Sequence, residues 1–147
     1  MKIIIDADGC PVTKIASRIA IENNIECIII SDTSHIFDIK GVKTVTVSKG
    51  NDSVDFYLVN ILEKGDIAVT QDYGLAAMCL AKGAIPISQN GVCYTDENIL
   101  NMLNDRHYAK MARMSGKKMK GPSKRDRKYD VIFEDKLKEL IKNSNNY

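Results

Sequence analysis

Apolar and polar positions fall in blocks along the chain that predict strands and helices in turn. Lys2–Asp6 is a short apolar run closed by an acid and reads as a buried strand. Pro11 then suits a first helical turn, and Val12, Ile15, Ala16, Ile19 and Ala20 recur at helical spacing before Asn23-Asn24 ends the pattern. Glu26–Ser31 and Lys43–Ser48 read as a second and third strand, the latter rich in β-branched residues. The stretch between them, Asp32–Gly41, reads as a loop or broken helical turn. A second helix is expected from about Asp52 to Lys64, carried by Val54, Leu58, Ile61 and Leu62 and stopped at Gly65. Asp66–Thr70 follows as a fourth strand, Tyr73–Lys82 as a third helix, Ala84–Ser88 as a fifth strand and Asn90-Gly91 as a tight turn. Asp96 opens a helix that runs into a basic strip, and Asp130–Lys142 forms a last helix carried by Phe133, Leu137, Leu140 and Ile141.

Strands alternating with helices predict an α/β fold with a mostly parallel sheet covered on both faces. The length of 147 residues predicts one domain over 1–147. Its α/β body spans 1–105, and 106–147 form a basic segment and C-terminal helix. In such sheets ligands bind beyond the carboxyl ends of the strands, which directs attention to the acids placed there. Asp6 and Asp8 follow the first strand in IIIDADGCP, Asp52 and Asp55 open the second helix in KGNDSVDFY, and Asp72 follows the fourth strand in AVTQDYG.

Carboxylates gathered at one edge repel one another unless a cation joins them, and oxygen-only ligands favour Mg²⁺ or Mn²⁺ over zinc. Such an ion acidifies water and stabilises an oxyanion at phosphorus, the usual requirements of phosphodiester cleavage. A plainer reading competes. Asp52 and Asp72 are natural helix N-caps, Asp55 falls near the third helical position, and Asp8 suits a turn before Pro11. Asp6 fits that reading least well, because an acid closing a buried strand is costly without a partner.

Composition changes the picture in one respect. The formal charge of +2 conceals an acidic body and a basic strip: residues 1–105 carry net −6, 106–128 net +9 and 129–147 net −1. The strip includes Arg106, Lys110, Arg113, Lys117, Lys118, Lys120, Lys124, Arg125 and Arg127, enough cations to neutralise several backbone phosphates. A charge run is most often a solvated face, but beside an acid-rich site it suits a nucleic-acid strand. Cys10, Cys27, Cys79 and Cys93 are widely spaced and read as reduced thiols of a cytoplasmic protein. Cys10 lies near the acids but lacks a partner base, and His107 carries no catalytic motif. The N-terminus meets an acid too soon for a signal peptide, and no apolar run is long enough for a membrane span.

The opening IIIDADGCPV, the middle KGNDSVDFYLVN and the following GDIAVTQDYGLAAMCLAKGA resemble the YaiI/YqxD family of bacterial PIN-like-domain proteins. LNDRHYAKMARMSGKKMKGPSKRDR continues that resemblance, so it covers nearly the whole chain in the right order. It implies a three-layer, Rossmann-like PIN fold of about five strands. In characterised PIN relatives such acids bind one or two Mg²⁺ or Mn²⁺ ions and hydrolyse RNA or DNA, which makes single-stranded RNA the expected partner here. By position, the resemblance makes Asp6 the first-strand metal ligand, Asp55 with Asp52 the helix acids and Asp72 the fourth-strand acid. Thr70 is implied to back the acids or to touch phosphate. The family often doubles the helix acid, whereas here Phe56 follows Asp55.

Two other functions are weighed. A non-catalytic RNA-binding module would keep the fold without turnover. A haloacid-dehalogenase-like phosphatase is suggested by IIIDADGCP, which is similar to the Asp-x-Asp-Gly-Thr signature, and by Gly65-Asp66 with Asp72. Cys10 and Pro11 break that signature, and Asp66 begins a strand where the phosphatase acid should end one.

Overall fold

The computed structural model describes residues 1–32, 37–50, 53–114 and 124–145, with the side chains of all but Arg106, Tyr108, Ala109 and Arg113. Five strands, β1 (Lys2–Asp6), β2 (Glu26–Asp32), β3 (Lys43–Val47), β4 (Ile67–Val69) and β5 (Ile85–Ile87), form one sheet in the order β3-β2-β1-β4-β5. Every pairing between them is parallel. The five helices are α1 (Thr13–Glu22), α2 (Ser53–Ile61), α3 (Tyr73–Ala81), α4 (Asp96–Met114) and α5 (Lys128–Ser144).

The sequence dictates this layering through strands that are apolar on both sides, as parallel strands buried between helices must be. Ile3, Ile4 and Ile5 of β1 are all fully buried. Ile3 and Ile5, with Cys27 and Ile29 of β2, face α1 and α5, which supply Ala16, Ile19, Phe133, Leu137 and Ile141. Ile4, Ile28 and Ile30 face the opposite way, onto Leu58 of α2 and Leu75 and Cys79 of α3. Outside α3, Ile99 of α4 joins Ala76 and Tyr94 in a smaller cluster. The result is the three-layer α/β arrangement that the sequence predicts.

Most boundaries agree with the sequence reading to within two residues. The end of α2 does not: it stops at Ile61 rather than Lys64. Asp66 Oδ2 accepts the Glu63 N–H at 2.8 Å, which draws the chain away from the helix axis. Gly65 then takes φ 87°, a left-handed conformation that glycine adopts without strain. The last helix begins at Lys128, earlier than the expected Asp130, and the Asp126 carboxylate just ahead of its N-cap accepts the otherwise free Lys128 N–H at 3.0 Å.

Strand order fixes where function can sit. From β1 the chain moves outward through β2 to β3, then returns to the other side of β1 to add β4 and β5. The reversal falls between β1 and β4, and the crevice beyond their carboxyl ends is where open α/β sheets bind ligands.

Candidate active site

At that reversal point lies a cleft of about 640 Å³ whose walls include Asp6, Asp8, Asp32, Asp55, Asp72 and Lys49. Asp6 is the last residue of β1, and Asp8 follows it in a turn completed by Gly9 at φ 68°. Asp55 enters from the first turn of α2. Asp72 stands between β4 and α3 and caps that helix, its Oδ1 accepting the Leu75 N–H at 3.1 Å. Asp72 is thus the helix cap that the plainer reading expects, and it also lines the cleft.

Behind the acids, Thr70 ties the two central strand ends together. Its hydroxyl donates to Asp6 Oδ2 at 2.9 Å and accepts the Asp72 N–H at 3.0 Å. The buried Tyr94 hydroxyl in turn donates to the Thr70 carbonyl at 3.0 Å. With 1% exposure, Thr70 supports the acids from within rather than facing a substrate. Asp8 is held similarly, its carboxylate accepting the Asp32 N–H at 3.2 and 3.4 Å.

Electrostatics at Asp6 follow from this crowding. Burial, opposed by the Thr70 hydrogen bond and reinforced by the charges of Asp55, Asp8 and Asp72, pushes its carboxyl up to about 6. A carboxylate so placed gains from a positive charge delivered into the cleft, and the donor set is all oxygen, which suits Mg²⁺ or Mn²⁺. Among the described residues, no three His, Cys, Asp or Glu side chains are grouped as a ready-made cation cage. The nearby Cys10 thiol is pushed up by burial, so it is a poor nucleophile.

Of the residues expected at the site, Asp6, Asp8, Asp55 and Asp72 line one cleft, with Thr70 behind them. Asp52 lies outside the described residues. Asp66 sits at the opposite, amino end of the sheet, where it pairs with Lys2 at 3.0 Å and does not join the cleft. Two charged cleft residues escape the sequence reading. Asp32 closes β2 as Asp6 closes β1, a signal missed by ending that strand at Ser31. Lys49, just before the loop into α2, adds a cation at the rim.

The basic strip divides. Arg106, Lys110 and Arg113 belong to α4, and Lys110 is exposed. Lys117, Lys118 and Lys120 lie outside the described residues. Lys124 and Arg127 are exposed ahead of α5. Arg125 instead directs its guanidinium at protein acceptors: Asp130 Oδ1 at 2.9 Å, Asn90 Oδ1 at 2.7 Å and the Gln89 carbonyl at 2.7 Å. No described helix is long and apolar enough to cross a membrane.

Comparison with known proteins agrees with the resemblance noted in the sequence. The family described as "Uncharacterized BCR, YaiI/YqxD family" matches residues 4–143. A UPF0178 protein of Exiguobacterium sibiricum is 45% identical over 141 residues, covering 96% of each chain. A UPF0178 protein of Clostridium acetobutylicum is 46% identical over 143 residues, covering 96% of this chain and 97% of the relative. A third, from Lachnoclostridium phytofermentans, is 47% identical over 145 residues and covers 97% of both. No solved structure matches. With its three motifs in order, its fold and its near-complete coverage, the chain belongs to the YaiI/YqxD family.

Proposed function

We propose that the aspartate cleft is the active site of a Mg²⁺- or Mn²⁺-dependent PIN-like nuclease that hydrolyses phosphodiester bonds, with single-stranded RNA as substrate. The observation that carries this reading is the convergence of four separated sequence acids, Asp6, Asp8, Asp55 and Asp72, on the strand-order reversal. Asp6, Asp55 and Asp72 would hold the cation, with Asp8 and Asp52 contributing. When bound, the cation supplies a Lewis acid that polarises a phosphoryl oxygen and acidifies water.

The chain's own residues supply position and charge. Thr70 fixes the Asp6 carboxylate in one orientation and sets the spacing between the ends of β1 and β4. Asp72, locked as a helix cap, holds its position by backbone contacts and needs little reorganisation. Exposed cations of the strip, Lys110, Lys124 and Arg127 among them, would add salt-sensitive attraction for the phosphate backbone.

The test is Mn²⁺-dependent cleavage of single-stranded RNA by the wild type and by Asp6→Asn. The expected result is cleavage by the wild type and loss of at least 100-fold in the variant, on the scale of removing an essential electrostatic group, with circular dichroism unchanged. Undiminished cleavage by Asp6→Asn defeats the proposal. Phe56, which follows Asp55 and is exposed where the family often carries a second helix acid, favours one competing reading, an RNA-binding module without turnover. That reading predicts salt-dependent RNA binding that survives both chelation and Asp6→Asn. No arrangement favours a haloacid-dehalogenase-like phosphatase, since Asp66 lies at the wrong end of the sheet.

A further inference from the structure

A second pocket opens at the same end of the sheet, in the turn that follows β5. It has a volume of about 420 Å³, and Gln89, Lys124, Arg125, Asp126, Lys128 and Tyr129 line it. β5 is two strand positions from β1, a separation of roughly 10 Å at the usual spacing of paired strands. The carboxyl ends of β1 and β5, beside which the aspartate cleft and this pocket lie, are thus separated by a distance that neighbouring nucleotides of one strand can bridge.

Three features give the pocket a specific chemistry. Its cationic wall is organised in advance, because Arg125 is pinned by Asp130, Asn90 and the Gln89 carbonyl. Those bonds use three of the five guanidinium N–H groups, leaving two. Lys124 and Lys128 are exposed beside it, and the one acid, Asp126, already accepts the Lys128 backbone N–H. Tyr129 adds an aromatic surface, with Arg125 6.0 Å and Lys128 5.2 Å from its ring centroid. Finally, Gln89 Oε1 is shut off from solvent with no donor against it among the described residues. A buried acceptor left without a donor is costly. The terminal torsion of glutamine is broad, so the amide of this pocket-lining residue can turn to offer that oxygen to a ligand.

The geometry points to a subsite for one nucleoside monophosphate unit, its phosphate held by Lys124 and Lys128 and an amino N–H of its base accepted by Gln89 Oε1. This deepens the nuclease reading and rests on it in one respect only, that the unit belongs to a strand reaching the aspartate cleft. Lysines act here as point charges on the phosphate, while the amide selects a base that carries an exocyclic amino group. Without the amide, the pocket would be a general anion site; with it, the base is part of what is bound.

The test uses the full chain without divalent cations, titrated by NMR with AMP, with purine riboside 5′-monophosphate (which lacks the amino group) and with ribose 5-phosphate. AMP is expected to bind at least tenfold more tightly than ribose 5-phosphate and several-fold more tightly than the amino-free purine. Gln89→Leu should erase the second difference, and the double variant Lys124→Gln/Lys128→Gln should weaken AMP about tenfold, each with an unchanged amide spectrum elsewhere. Asp6→Asn should leave AMP affinity as it is. Equal affinity for AMP and ribose 5-phosphate, discrimination that persists in Gln89→Leu, or no AMP binding at millimolar concentration each overturns the subsite. The two readings fail separately: RNA cleavage without AMP binding removes the subsite alone, and AMP binding without RNA cleavage removes the nuclease alone.

Discussion

Two aspartates sit at opposite ends of the neighbouring strands β1 and β4, and their surroundings could hardly differ more. Asp66, at the amino end, is 2% exposed and fully met. Its Oδ1 accepts the Lys2 N–H at 2.9 Å, its Oδ2 accepts the Glu63 N–H at 2.8 Å, and the Lys2 ammonium stands 3.0 Å away. Asp6, at the carboxyl end, receives the Thr70 hydroxyl and is otherwise surrounded by the charges of Asp55, Asp8 and Asp72. One end of the sheet satisfies its buried acid and so holds the fold. The other concentrates like charges, a state that folding alone does not favour and that a cation relieves.

The largest expected effect breaks the satisfied end. Asp66→Ala strands the Lys2 ammonium and two backbone N–H groups, and should cost about 3–5 kcal/mol in denaturant unfolding. The opposite sign is expected at the other end. Asp6→Asn removes the crowded charge, and in the absence of divalent cations at pH 7 it should raise stability by about 1–3 kcal/mol. A loss of stability there would mean that Asp6 is an ordinary structural acid, and the contrast would collapse.

The pH dependence sharpens the same contrast. Asp6 titrates near its ordinary 3.8 in the unfolded chain and at about 6 in the folded one. Between those values the folded protein holds a proton that the unfolded chain releases, so this group adds stability as pH falls through 6 and no more below about 4. The advantage of Asp6→Asn over the wild type should therefore shrink between pH 7 and pH 5. A constant difference across that range would contradict it. The smallest effect expected is that of Thr70→Val, which removes a donor to Asp6 and an acceptor of the Asp72 N–H. It should cost about 1 kcal/mol, and a double-mutant cycle with Asp6→Asn should show the two changes to be coupled.

How much of this was legible in the residues depended on how local the cause was. The strands of unbroken isoleucine, the helical spacing of Val12, Ala16, Ile19 and Ala20, and the glycine stops gave the α/β alternation directly, because period and punctuation are local properties. Strand order is not local: the alternation places the acids after β1 and β4 at one edge of a parallel sheet, but only the folded chain shows that these two strands are neighbours flanking the reversal. The end of α2 departs from the sequence pattern because Asp66, a residue beyond the helix, captures the Glu63 N–H. Asp32 is not among the expected residues because the sequence ends its strand at Ser31, and neither is Lys49, which opens KGNDSVDFY without a carboxylate to mark it. Arg125 read as one more cation of the strip; only folding brings Asn90 and Asp130 to its guanidinium.

If the crowded aspartates exist to receive a cation, binding must stabilise the folded protein through Asp6. Thermal unfolding of the wild type and of Asp6→Asn, each titrated with Mn²⁺ at pH 7.5, tests this most directly. Binding to the folded state alone raises the unfolding temperature progressively with ligand concentration. The wild type should show that rise and overtake the variant, whose unfolding temperature should stay nearly constant. Equal Mn²⁺-dependent shifts in both proteins, or none in the wild type, would contradict the assignment of this cleft as a cation site.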